Sequence, residues 1–172
     1  MKINKMALVL VILGLTIGFA AITTTLTITG TATIKANNED FENNVIFKEG
    51  SATATAGTAT ISDDGKSITF TTNTFKSIGD SATVNFTVEN KSNYKAKFGT
   101  PAIVCTGTGA NGSYFTEYIS ATPGSELNGV TLERNGSEAS SVTVSMKKSF
   151  VNDETTVTYT CTMSVEAVEA TS

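Results

Sequence analysis

The chain has 172 residues, a formal net charge of −4 and 16% charged residues, with no histidine, no tryptophan and only two prolines. Its length suits one domain of ordinary size. The acidic balance and the scattered lysines argue against a nucleic-acid partner. Without imidazole the chain cannot build a Ser-His-Asp or Cys-His relay or a histidine-ligated zinc site, so we do not expect an enzyme.

The amino terminus has the pattern of a secretory signal peptide. Lys2 and Lys5 precede an almost unbroken apolar run over residues 7–21, which is the order of a basic n-region and an h-region. Gly18 and Ala20 supply the small residues that a signal peptidase requires. We predict a helical signal peptide over residues 1–20 and a secreted domain over residues 21–172. The alternative is an uncleaved leader, which would then be the membrane attachment.

The first segment of the mature chain predicts a long strand. Over residues 22–35, apolar or small residues alternate almost without exception with threonines, and a period of two is typical of a strand with one apolar and one polar face. Its large apolar side chains are Ile22, Leu26, Ile28 and Ile34. We expect this strand either to close the sandwich of its own chain or to pair beyond its own domain.

The remaining residues predict short strands separated by turns, without a helical period. We expect a hairpin around residues 63–66, with Ile68 and Phe70 inward, and a strong strand through residues 82–88. Further strands are expected at residues 45–47, 51–61, 94–98, 102–106, 114–121, 130–133, 142–146 and 155–167. The richness in β-branched residues and this spacing predict an all-β fold, a two-sheet antiparallel sandwich.

Cys105 and Cys161 are the two cysteines of the chain. Each lies in phase with inward residues of its predicted strand, and an even count in an exported protein favours a disulfide. We predict a bond between them that ties the last strand to a strand in the middle of the chain. Two buried free thiols are the alternative.

No cofactor or metal is expected. The carboxylate pair Asp63 and Asp64 and the acidic stretch at residues 39–42 lack the spaced order of a calcium-binding loop, so they are interpreted as solvated turn residues. Aromatic residues around a predicted loop, above all Tyr114 and Tyr118, are the candidates for ligand binding. They motivate an alternative function as a monomeric cell-surface adhesin or carbohydrate-binding module.

The first hundred residues resemble the TasA and camelysin group of exported biofilm-matrix proteins, which are processed by a SipW-type signal peptidase. The resemblance lies in the lysine-led leader, the threonine-rich strand around residues 29–32, the block at residues 79–90, and Tyr94 and Ala96. It implies a jelly-roll-like sandwich whose amino-terminal strand completes a sheet in the next subunit. The two cysteines depart from the group, and without histidine the proteolysis described for camelysin is not carried over.

These observations predict a secreted structural subunit of an extracellular fibre or biofilm matrix, located at the cell surface. It would associate with itself through the amino-terminal strand by donor-strand exchange. Other matrix or cell-surface components are possible further partners.

Overall fold

The computed structural model describes residues 25–36, 43–108, 115–148 and 156–170. The predicted signal helix lies outside the described residues. The described part of the chain forms two β-sheets that pack face to face around one apolar core, which confirms the predicted all-β sandwich. No helix in these ranges has the length and apolar character needed to span a bilayer.

One sheet has seven strands and the other five among the described residues. The larger sheet has the order β4–β5–β1–β12, after which β8 and then β7 pair with successive parts of β12, and β10 pairs with β7. The smaller sheet has the order β9–β11–β6, with β2 and β3 on the far edge of β6. The strands are β1 (Thr25–Ala36), β2 (Val45–Phe47), β3 (Thr53–Ala54), β4 (Gly57–Ile61), β5 (Ser67–Thr72), β6 (Ser81–Asn90), β7 (Ala96–Phe98), β8 (Ala102–Thr108), β9 (Ile119–Pro123), β10 (Thr131–Leu132), β11 (Ser137–Met146) and β12 (Thr156–Glu169).

Alternation along the strands builds the core. β5, β6 and β11 each present a buried side chain at every second position over most of their length, as the period of two requires. Phe47 from β2 and Phe86 from β6 pack edge to face, with ring centroids 5.3 Å apart. Ile68 and Phe70 point inward as predicted, with exposed fractions of 0% and 2%.

The prediction of one strand over residues 51–61 is wrong. This stretch forms β3 in the smaller sheet and β4 in the larger one, so the chain changes sheets between them. Gly57 stands at the crossing with φ 128° and lies so close to the backbone of Thr71 that a Cβ would be 2.0 Å from its carbonyl oxygen. Only glycine fits both conditions.

Two further predictions differ from the structure. The strand expected at residues 94–98 is shorter in the structure, where β7 begins at Ala96 and pairs with β12 in the larger sheet. Tyr94 precedes the strand and is 50% exposed. Within the expected strand at residues 114–121, a single helical turn, Phe115–Tyr118, comes before β9.

The sandwich is not entirely antiparallel. β1 and β12, the first and last described strands, run parallel over the full length of β1, from Thr25 opposite Thr156 to Ala36 opposite Ala167. The other strand pairs of the described residues are antiparallel. A parallel pair joins elements that a tight turn cannot connect, so hairpin signals in the sequence could not reveal it.

Candidate assembly strand

β1 occupies an interior position of the larger sheet. It pairs with β12 on one side and, through residues 29–33, with β5 on the other. An interior strand has its main-chain donors and acceptors paired on both sides, whereas a strand added to an exposed sheet edge gains main-chain hydrogen bonds on one side. In this structure the strand completes the sheet of its own chain, which is the first of the two arrangements that the sequence left open.

The two faces of β1 follow the predicted alternation over residues 29–34. Gly30, Ala32 and Ile34 are buried, whereas the threonines between them are half-buried on the outer face. The hydroxyl of Thr33 donates a hydrogen bond to the carbonyl of Met163 on β12, at 3.4 Å. One face therefore enters the core and the other carries hydroxyl groups.

The structure describes the four predicted assembly residues to different extents. Ile34 contributes to the core and is 8% exposed. Leu26 and Ile28 belong to β1, where their backbones lie opposite Val157 and Tyr159 of β12. Ile22 lies outside the described residues.

Gly30 is the point of closest approach across the core face of β1. Its cross-strand partner on β5 is Phe70, and a Cβ built on Gly30 would lie 2.0 Å from Cζ of the Phe70 ring. The ring therefore lies over the backbone of β1 in space that any other residue would fill. Because Phe70 is itself 2% exposed, the ring is enclosed by the core.

The far side of β1 is bordered by the disulfide. Cys161 on β12 is the parallel partner of Gly30, and Cys105 on β8 is the antiparallel partner of Cys161. The two sulfur atoms are bonded, and 56 positions separate the residues in the sequence. The predicted disulfide is confirmed, and it fastens β12, one wall of the slot that β1 occupies, to its other neighbour.

The predicted aromatic ligand site is described only in part. Tyr114 lies outside the described residues. Tyr118 is half-buried against the core, with the ammonium of Lys148 5.4 Å from its ring centroid. Lys148 also pairs with Glu117, and this contact raises the pKa of the Lys148 ammonium above its ordinary value. The main-chain carbonyl of Tyr118 accepts a hydrogen bond from the Lys147 amide at 2.7 Å.

A surface groove of about 580 Å³ lies between β2 and the β4–β5 hairpin. Asp63 and Asp64 are among its lining residues. The Asp64 carboxylate accepts hydrogen bonds from the Ser62 hydroxyl at 2.5 Å and the Lys66 amide at 2.9 Å, and these bonds lower its pKa below the ordinary value. Asp64 therefore stabilises the turn, and no group of three or more possible metal ligands gathers among the described residues.

Sequence reasoning missed two structural residues. Phe70 was assigned to the core, but its contact with Gly30 was not foreseen, and the only signal was a glycine within a strand of β-branched residues. Asn90 lies just beyond the strand expected at residues 82–88, and no sequence signal indicated that it would be completely buried. Comparison of the chain with protein-family models and with curated proteins gives no match.

Proposed function

We propose that this protein is a secreted structural subunit of an extracellular fibre or biofilm matrix, and that it polymerises by donating β1 to the larger sheet of the next subunit. The observation that carries the proposal is the position of β1. It fills an interior slot whose two walls, β5 and β12, belong to the body of the domain.

An empty slot is unfavourable for the molecule. Without β1, the facing edges of β5 and β12 lose their main-chain partners. The apolar row formed by Ile68 and Phe70 on β5 and by Met163 and Val165 on β12, each 2% exposed or less, loses the strand that lies between its two halves. Burial of apolar surface is worth roughly 25 cal/mol per Å². The slot therefore has to be filled by some copy of β1.

A neighbour's strand would fill the slot with the same contacts as the chain's own. Once the predicted leader is removed, β1 is joined to the body only through residues 37–42, which lead to the next described residue, Asn43. Exchange of identical elements between protomers has a low free-energy cost because no native contact changes. A head-to-tail exchange whose rotation does not close a ring extends into a polymer, and a higher protein concentration favours it.

Export and location rest on separate observations. The lysine-led leader is typical of secreted proteins, and disulfides persist mainly in oxidising compartments outside the cytosol. The resemblance to exported biofilm-matrix proteins agrees with both. We therefore place the polymer at the cell surface, where other matrix components are available as partners.

Tethering β1 to its own chain tests the proposal. In the variant Thr31→Cys/Thr69→Cys, the new thiols lie on opposed outer-face positions of β1 and β5, and a short bis-maleimide reagent joins them in dilute solution. The native cysteines are bonded to each other, so they do not react. By electron microscopy at rising concentration, we expect filaments from the untreated variant and dispersed particles from the tethered one.

A matched control uses the same face and the same residue of β5. In Thr60→Cys/Thr69→Cys, the reagent joins β4 to β5 and leaves β1 free, so filaments should persist. Filaments from the tethered β1 variant equal to those of the control would refute strand donation, and so would an untethered protein that stays dispersed at every concentration.

A further inference from the structure

The slot between β5 and β12 contains a feature that distinguishes one strand register from another. Across the core face, Phe70, Gly30, Cys161 and Cys105 form one row on four neighbouring strands. Only Gly30 has no side chain, and the Phe70 ring takes that space. The Phe70 ring on β5 therefore fills the space of two opposed positions, its own and that of Gly30 on β1.

Moving β1 along the slot destroys this fit. A shift by one residue exchanges the apolar and threonine faces. A shift by two residues keeps the faces but brings Ile28 or Ala32 opposite Phe70, and each of these carries a Cβ where the ring now lies. Gly30 is the single glycine of β1. Only one of these registers therefore directs the apolar face of β1 to the core and also places a glycine opposite Phe70.

We infer that Phe70 is a specificity-determining residue of strand exchange: it admits only a strand with glycine in the Gly30 register, and so selects β1 of a second copy of this chain. This inference rests on the proposed function, and it adds the identity and the register of the donated strand. It also explains why an interior strand of a threonine-rich sheet carries a glycine that weakens its intrinsic β propensity.

Reciprocal changes of volume test the selection. Gly30→Val places a β-branched residue, favourable in strands, against the ring, so this chain alone should form no filaments. Phe70→Ala opens the slot and should give shorter or fewer filaments because its contact is underpacked. The chain that carries both substitutions should recover assembly. Thr60→Val, at an exposed position of β4 that does not border the slot, is the control and should assemble normally.

Mixing the two single variants separates a donated strand from one that stays in its own chain. In a one-to-one mixture, the larger strand of the Gly30→Val chain fits the opened slot of the Phe70→Ala chain. The Phe70→Ala chain keeps its glycine, and its strand fits the slot of the Gly30→Val chain, where the ring remains. Every junction of an alternating polymer is therefore acceptable.

We expect fluorescently labelled Gly30→Val chains to enter filaments only when Phe70→Ala chains are present. Electron and fluorescence microscopy of the mixture and of each variant alone measure the incorporation. Filaments of Gly30→Val alone, or its exclusion from the mixture, would overturn the selection.

Unfolding measurements test the contact between Gly30 and Phe70 separately from polymer formation. They compare the wild type, the two single variants and the chain that carries both substitutions. The Phe70→Ala background should reduce the effect of Gly30→Val on the unfolding equilibrium constant by about tenfold or more, as for residues in contact. Coupling in a protein that forms no filaments would refute the polymer and leave the register contact in place. Additive effects of the two substitutions would refute the contact itself.

Discussion

The side-chain amide of Asn90 holds together three parts of the described chain. Its Nδ2 donates to the carbonyls of Tyr94, at 2.8 Å, and of Leu132 and Glu133, both at 3.2 Å. Its Oδ1 accepts from the amide and the hydroxyl of Ser92, at 3.0 and 2.6 Å. The end of β6, the approach to β7 and the end of β10 are thereby joined at a completely buried position.

Asn90→Ala should therefore destabilise the protein severely. The substitution leaves buried acceptors and the Ser92 donors without their partner, and a loss of about 2 to 3 kcal/mol is expected. Urea denaturation measures it. Asn128→Ala, which removes an exposed amide bonded to Thr100, is the control and should cost less than about 0.5 kcal/mol. Similar losses for both would contradict the role of Asn90.

Two turn carboxylates make stability dependent on acid pH. The amides of Lys76 and Ser77 donate to Asp80 at 2.6 and 2.9 Å and lower its pKa below the ordinary value of 3.8. The Ser62 hydroxyl and the Lys66 amide do the same for Asp64. A lowered folded-state pKa contributes stability above the unfolded value, and this contribution is lost as pH falls through the folded-state pKa.

Removing both carboxylates should make the free energy of unfolding depend less on pH in acid. In Asp64→Asn/Asp80→Asn, the free energy of unfolding should fall at neutral pH and change less between about pH 4 and pH 2 than in the wild type, because two groups no longer take up protons on unfolding. Denaturant titrations at a series of pH values measure the slope. An unchanged slope in the double variant would contradict the assignment.

At the scale of elements, the disulfide keeps the last strand in place. Cys161 is fully buried and Cys105 is 9% exposed, so the folded protein largely shields the bond from reducing agents. In the unfolded chain the bond closes a long loop, and such a constraint stabilises folded proteins by about 2 to 4 kcal/mol. The wall of the β1 slot is thus covalently supported.

Cys105→Ala/Cys161→Ala should lose about 2 to 4 kcal/mol of stability while keeping the fold. Circular dichroism during chemical denaturation measures the loss. Val104→Ala on the same strand, at a position that is 67% exposed, should stay within about 0.5 kcal/mol of the wild type. A double alanine variant as stable as wild type would show that the bond adds nothing to the folded state.

The alternation of side chains made most strands predictable. The inward residues of β5 and β6, such as Phe70 and Val84, follow from the period of two, and the pairing of two in-phase cysteines follows from their count. The break at Gly57 was not predictable, because Ala and Thr alternate through residues 52–56 and 58–60 without a large side chain to show which sheet they face. The helical turn at residues 115–118 was not predictable either, because four residues are too few to show a helical period.

At the scale of the whole molecule, strand order escaped prediction because it depends on long-range contacts. Nothing local in β1 shows that it runs parallel to β12 more than a hundred positions away, or that β7 belongs to the sheet opposite β6. The candidate site was predictable as a strand with one apolar face. Its slot was not, since the walls come from distant parts of the sequence and the Phe70 contact depends on register.

Under the proposed function, the slot between β5 and β12 accepts β1 either from its own chain or from a neighbour. Filling it from within would give a closed monomer, and filling it from a neighbour would give a chain of subunits with identical cores. The two states would make the same contacts in the slot and would differ in the entropy of association. The two states are distinguished by which copy of β1 lies between β5 and β12 at high protein concentration.

Cross-linking after assembly answers that question directly. The variant Thr31→Cys/Thr69→Cys is first allowed to assemble and is then treated with the short bis-maleimide reagent, and the products are separated on a denaturing gel. If β1 comes from a neighbour, the reagent joins successive subunits and gives a ladder of dimers, trimers and longer species. If every product migrates as a monomer, β1 has stayed in its own sheet and the account is contradicted.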